Sequence, residues 1–168
     1  MLADREHRTV AAVEVIGRAL KSFSALEHRI ETVGDFDGVT WINDSKSTNV
    51  ASTLVAMRGM TKPTVLLLGG RHKGEPYTDL IPELARTGRA VIAYGEAGEL
   101  IEQDLRGTVP LTRLGDSFEE VMVTARKLAR KGDIVLLSPA CSSYDMFDNY
   151  EQRGKIFKQM AAGTLERR

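Results

Sequence analysis

The chain has a single cysteine, Cys141, which excludes an intramolecular disulfide framework and fits a reducing compartment. Charge of one sign is also missing: 23 Lys and Arg stand against 23 Asp and Glu. Without a basic excess there is no case for a nucleic-acid surface. The 3 His residues are scattered without metal-ligand spacing, so no metal site is expected. No apolar run approaches the length of a membrane span, and the charged start MLADREHRTV lacks the apolar core of a signal peptide. A cytoplasmic protein without nucleic-acid or membrane partners is the expectation. Two catalytic motifs are absent as well. There is no G-x-x-x-x-G-K-[ST] phosphate loop and no G-x-S-x-G elbow, and no flanking base activates Cys141, which reads as a small buried residue.

The 168 residues present suit one compact domain with its own core. From Thr9 to Lys21, apolar residues at Val10, Val13, Ile16 and Leu20 predict an amphipathic helix. Strand-like runs follow at Arg29–Val33 and Val39–Asn43, joined through Gly34–Gly38 as a hairpin. The pattern then alternates. Helices are predicted at about 49–58, 80–87 with Pro82 in the first turn, 96–105, a stretch from the cap at Asp116 or Ser117 to about Arg130, and 149–161. Strands are predicted at 64–68, 90–94, 110–113 and 133–137. This order implies an α/β, Rossmann-like fold: a mostly parallel sheet of about six strands, one antiparallel strand from the N-terminal hairpin, and helices on both faces. Residues 1–8 read as a truncation scar, 9–163 as the domain and 164–168 as a disordered tail.

In an open parallel sheet, ligands bind beyond the carboxyl ends of the strands. Three polar segments fall there: Asn43-Asp44-Ser45-Lys46-Ser47-Thr48-Asn49, Gly69-Gly70-Arg71-His72-Lys73-Gly74, and Ser138-Pro139-Ala140-Cys141-Ser142-Ser143. Together they suit an anion. A helix start at Thr48 and Asn49 offers free amides and the positive dipole end. Lys46 and Lys73 add full charge, and the hydroxyls of Thr48, Ser142 and Ser143 can bond oxygens. Each segment alone also reads as a cap, a structural turn or a solvated loop. His28 and His72 read as surface or supporting residues rather than catalysts.

The run Trp41-Ile42-Asn43-Asp44-Ser45-Lys46-Ser47-Thr48-Asn49 resembles the W-x-N-D-S-K-A-T-N signature of the D-glutamate-adding Mur ligases of peptidoglycan synthesis. Three further matches follow in order. They are Leu26-Glu27-His28-Arg29, the Gly69-Gly70-x-x-Lys73-Gly74 loop, and Ser138–Ser143 running on to Phe147-x-Asn149-Tyr150-Glu151-Gln152-Arg153-Gly154. The chain thus resembles the C-terminal, amino-acid-binding domain of that family over about residues 23–157.

The resemblance implies an ATP- and Mg2+-dependent ligase. It phosphorylates the carboxylate of UDP-N-acetylmuramoyl-L-alanine, and the amine of D-glutamate attacks the acyl phosphate to form an amide. Carried over by position, Thr48 and Lys73 hold one carboxylate of D-glutamate, and Ser143 with the Tyr150 region holds the other. Asp44 receives the ATP ribose, Arg29 reaches the ATP phosphates, and Lys46 is the charge near the reacting centre. The partners implied are these small molecules and the N-terminal and central domains of the same protein. This domain alone is expected to be inactive and to bind no cofactor. Departures are Ser47 for Ala, Val50 for Pro, His72 for Asp and Ser142 for Ala. A stand-alone module that binds a nucleotide or acidic metabolite is the alternative.

Overall fold

The computed structural model describes residues 26–164. The helix expected over 9–21, the scar at 1–8 and residues 165–168 lie outside the described residues.

The chain enters at a hairpin of β1 (Glu31–Phe36) and β2 (Val39–Asn43), which pair antiparallel. Only Asp37 and Gly38 make the turn, both with positive φ of 56° and 78°, the combination that closes a two-residue hairpin. The expected strand at Arg29–Val33 is therefore displaced. Gly34, Asp35 and Phe36 continue the ladder opposite Trp41, Thr40 and Val39, past a register shift between Thr32 and Gly34. Arg29 lies outside the strand, in a segment where His28 and Ile30 carry positive φ of 64° and 45°.

After β2 come α1 (Val50–Gly59), β3 (Thr64–Gly69), a 3-10 turn (Tyr77–Leu80) leading into α2 (Ile81–Thr87), and β4 (Gly88–Tyr94). Then follow α3 (Gly98–Leu105), β5 (Leu111–Arg113), α4 (Phe118–Leu128), β6 (Ile134–Leu137) and α5 (Tyr150–Ala161). Of the two caps the sequence offers for α4, Ser117 serves, and Asn49 and Asn149 cap the helices expected to start there. Asn49, Ser117 and Asn149 each accept from the amide three residues on, at Ser52, Glu120 and Gln152. The helix expected from Glu96 begins at Gly98 instead, because the Glu96 and Ala97 amides donate to Asp145 Oδ2 and the Gly70 carbonyl. Thr164, expected in a disordered tail, is tied down by its amide to the Gln159 carbonyl.

The sheet order is β1-β2-β6-β3-β4-β5, parallel throughout except for β1. Every residue of β3 and β6 is buried, as expected of central parallel strands covered on both faces. Alternation sends Leu66, Leu68, Val91, Ala93 and Leu136 to the face covered by α1, α2 and α3. Val65, Leu67, Ile92, Tyr94, Val135 and Leu137 face α4 and α5. After β3 the chain goes to the first face and after β6 to the second, so these neighbouring strands diverge at their carboxyl ends. That divergence is a topological switch point, the place where such sheets open a crevice. Among the described residues, no helix is long and apolar enough to cross a membrane.

At the opposite, amino edge, Arg89 holds Asp133 through Nε and Nη2 at 2.7 and 2.8 Å, and the Arg130 amide adds a third bond at 2.8 Å. The guanidinium beside Asp133 holds its carboxyl below the ordinary value. A depressed folded value means the stabilisation is complete above the ordinary carboxylate range and is lost as pH falls through the folded value. Asp133→Ala should lower unfolding stability by about 2 kcal/mol at neutral pH. In urea titrations the variant's deficit should shrink on acidification; a deficit that does not change with pH would contradict this account.

Candidate functional site

The polar segments meet at the carboxyl edge. The loop after β3 and the loop after β6 are zipped by backbone bonds, Arg71 N to Ser142 O at 2.9 Å and Ser142 N to Arg71 O at 3.1 Å. Only glycine permits this approach: a Cβ on Gly70, whose φ is +126°, would collide with the Ser142 carbonyl. The loop after β2 joins them through Ala140 N to Ser47 O at 3.0 Å. Across this junction Lys73 Nζ donates to Thr48 Oγ1 at 3.1 Å, so two residues singled out from separate segments are in direct contact. Lys73 is exposed and Thr48 half-buried, leaving the ammonium open to a ligand.

The helix start at Thr48 and Asn49 is already partly served. Asn49 Oδ1 accepts from Ser52 N at 2.8 Å, and the Val50 amide donates to Glu75 Oε2 at 2.6 Å. Ser143 is buried beside the zipped loops, its carbonyl accepting from Met146 and Phe147. Tyr150 opens α5 and packs edge-on to His28, with ring centroids 6.1 Å apart. Lys46 Nζ sits 5.8 Å from the centroid of the Tyr150 ring, a cation–π contact that holds the ammonium over the rim.

Asp44 is turned inward. Its residue is fully buried, Oδ1 accepting from Ile30 N at 3.2 Å and Oδ2 from Ser138 Oγ at 2.7 Å. Burial pushes its carboxyl above the ordinary value despite those bonds. Through Ile30 it restrains the turn that carries Arg29, itself exposed and bonded by its amide to Leu26 O. The left-handed backbone at Ile30, unfavourable for a β-branched residue, is held by this bond to Asp44. Asp44 thus has no exposed surface to offer a ribose hydroxyl.

Arg153 and His28 carry more of the site than their sequence context suggests. The Arg153 guanidinium is fully buried. Nε donates to Ser45 Oγ at 2.9 Å, Nη2 to Ser45 O at 2.8 Å, and Nη1 and Nη2 to Cys141 O, both at 3.3 Å. Burial pulls its pKa below the ordinary value. His28 is buried against Gly154, where a Cβ would strike the imidazole. Asn43 Nδ2 lies 2.9 Å from His28 Nδ1; since Asn43 Nδ2 can only donate, Nδ1 accepts and the ring proton lies on Nε2. Burial lowers the His28 pKa, which favours this neutral form. The loop after β4 also reaches the rim, with Arg71 Nε paired to Glu96 Oε2 at 3.0 Å. The sequence signal for Arg153 is its place in the Phe147–Gly154 run, one turn after Tyr150. A concavity of about 1170 Å³ between β1, α4 and α5 is lined by none of the residues of the three polar segments.

A family described as Mur ligase, glutamate ligase domain, matches residues 28–141. The chain is 44% identical over 152 residues to the UDP-N-acetylmuramoylalanine--D-glutamate ligase of Salinibacter ruber, covering 90% of this chain and 33% of that protein. To the enzyme of the same name from Chlamydia caviae it is 41% identical over 154 residues, covering 92% and 36%. The chain therefore spans about a third of the length of these curated relatives. Among solved structures, its fold is similar to the murein peptide ligase mpl of Psychrobacter arcticus, with a TM-score of 0.56 and 16% identity over 90% of this chain and 33% of that one. It is also similar to the MurF ligase of Thermotoga maritima in complex with ADP, with a TM-score of 0.53 and 17% identity over 93% and 38%.

Arg153→Ala would leave the Ser45 and Cys141 carbonyls buried without donors. A loss of about 3 kcal/mol of unfolding stability is expected, with Arg153→Lys recovering only part because an ammonium lacks the planar fork. Urea midpoints measure both; an alanine variant as stable as the parent would refute the bridging role.

Proposed function

Because the chain belongs to the Mur ligase family, matching its glutamate ligase domain over residues 28–141, we propose that it is the D-glutamate-capturing domain of a ligase. That ligase joins D-glutamate to UDP-N-acetylmuramoyl-L-alanine in peptidoglycan precursor synthesis. The observation that carries this reading is the contact between Lys73 Nζ and Thr48 Oγ1 at 3.1 Å, beside a loop zipped to Ser142 and hence next to Ser143.

In this reading Lys73 and Thr48 grip one carboxylate, and Ser143 with the Tyr150 region grips the other. Holding both ends aims the amine at the acyl phosphate that ATP generates, a positioning effect worth several kcal/mol, with about 7–11 as the upper range. Lys46, held over the Tyr150 ring, is a charge near the reacting centre. Arg29 reaches the ATP phosphates, and Asp44 serves the nucleotide side by fixing Ile30 and the Arg29 turn. The phosphate loop and the Mg2+ ligands are supplied by further domains of the same cytoplasmic protein; among the described residues no three His, Cys, Asp or Glu groups gather to hold a metal. The 168-residue chain alone is then inactive, and closure onto the ATP-bearing domain completes the site.

Joining this chain to the other two domains, in trans or as the intact protein, should give ATP-dependent consumption of D-glutamate. Turnover of a different amino acid but not D-glutamate would reject the assignment, and micromolar nucleotide affinity of this chain alone in calorimetry would favour a stand-alone binding module.

Lys73→Ala in the intact enzyme should raise the D-glutamate KM roughly 10- to 100-fold, the value of a charge-assisted hydrogen bond. Ser143→Ala should raise it about fivefold, as fits a neutral bond, and Asp44→Ala should act mainly on ATP use. An unchanged D-glutamate KM in Lys73→Ala would show the lysine has another role.

A further inference from the structure

The loop that carries Lys73 is anchored by a hydrogen-bonded chain that the amino-acid grip does not itself use. His72 Nδ1 lies 3.0 Å from Tyr77 Oη, and Tyr77 Oη lies 2.9 Å from Cys141 Sγ. The His72 and Tyr77 rings also pack, with centroids 5.5 Å apart and planes tilted by 47°. Tyr77 and Cys141 are fully buried, and Asp104 Oδ2 fixes the Tyr77 backbone through its amide at 2.9 Å. The phenol therefore stands on a rigid base. It has one proton to give and lone pairs to accept with, so the chain runs in a single sense: thiol to phenol to imidazole, or the reverse. Burial holds the Cys141 thiol up at about 11 and raises Tyr77 above its ordinary value, so both stay neutral.

The two ends of this chain are adjacent to the two halves of the grip. His72 precedes Lys73, and Cys141 lies two residues before Ser143. We propose that His72 is a positioning residue: through Tyr77 and Cys141 it fixes the distance between the Lys73 loop and the Ser143 loop, and so sets affinity for a dicarboxylic amino acid it does not touch. This rests on the functional reading above. Lys73 is exposed and its loop turns at Gly74, where φ is +93° and a Cβ would meet nothing. Beside the Arg71–Ser142 backbone bonds and the Lys73–Thr48 contact, the His72–Tyr77–Cys141 chain is a further, side-chain link between this loop and the loop after β6.

The test uses the intact enzyme for D-glutamate kinetics and this chain for thiol chemistry, where Cys141 is the single cysteine. His72→Ala should raise the D-glutamate KM about fivefold while leaving kcat and the ATP KM near the parent values, the size of effect that fits one neutral hydrogen bond. His72→Asn, which keeps a hydrogen-bonding atom near the Nδ1 position, should recover most of the loss. Tyr77→Phe should match His72→Ala, and the double variant should be no worse than either single change, as expected of members of one chain. In this chain, His72→Ala and Tyr77→Phe should each speed modification of Cys141 by 5,5′-dithiobis(2-nitrobenzoate) several-fold. A D-glutamate KM unmoved by His72→Ala, or additive single effects, would overturn the proposal. If the parent enzyme ignores D-glutamate, the functional reading fails, and Cys141 reactivity then decides the anchor by itself: an unchanged rate in both variants overturns it.

Discussion

A buried guanidinium holds the carboxyl edge together. Arg153 reaches from the first turn of α5 to both Ser45 and Cys141, so one rigid side chain spans the loops after β2 and β6. Its hydrogen-bond partners are neutral oxygens, and the Asp145 carboxylate lies within its electrostatic reach. A cation kept in a low-dielectric setting interacts more strongly with its neighbours than a solvated one. The arginine fork suits this task because its donors are preorganised in one plane. Burying it costs desolvation, visible in its lowered pKa, and the bonds to Ser45 and Cys141 offset that cost.

Around that bridge the backbone takes conformations that an ordinary core would avoid. His28, Ile30 and Ala140 all have positive φ, and all lie at the same edge. Each is fastened: Ile30 by its amide to Asp44, Ala140 by its amide to Ser47 O, and His28 by Asn43 on its ring and Glu31 Oε2 on its amide. Unfavourable dihedrals cluster where surrounding bonds over-determine them, which is the usual signature of a preorganised site. The hydrophobic layers on the two sheet faces provide the stability against which this local cost is borne.

The site is one-sided. Lys73, Lys46 and Arg29 stand at the rim while Asp44, Ser45, Ser138 and Arg153 lie beneath it, so charge that can meet a ligand rests on a buried polar layer that orients it. The chain that carries this layered rim spans about a third of the length of its curated relatives.

Much of this arrangement is legible in the amino-acid sequence itself. Alternating apolar runs and helical periodicity determine the order of strands and helices, because burial on two faces leaves a period in the chain. Asn49, Ser117 and Asn149 mark helix starts by local hydrogen-bonding chemistry, and the signature around Trp41–Asn49 marks the site. The full length of the hairpin is not legible, because the bulge near Thr32 depends on cross-strand pairing and leaves no local pattern. Tertiary structure alone decided that Asp44 faces inward, that Glu75 serves the α1 amide, and that Arg153 joins Ser45 to Cys141 across 108 and 12 residues of chain. Local sequence encodes what each segment prefers for itself; which buried donor meets which distant acceptor is settled only when the strands are side by side.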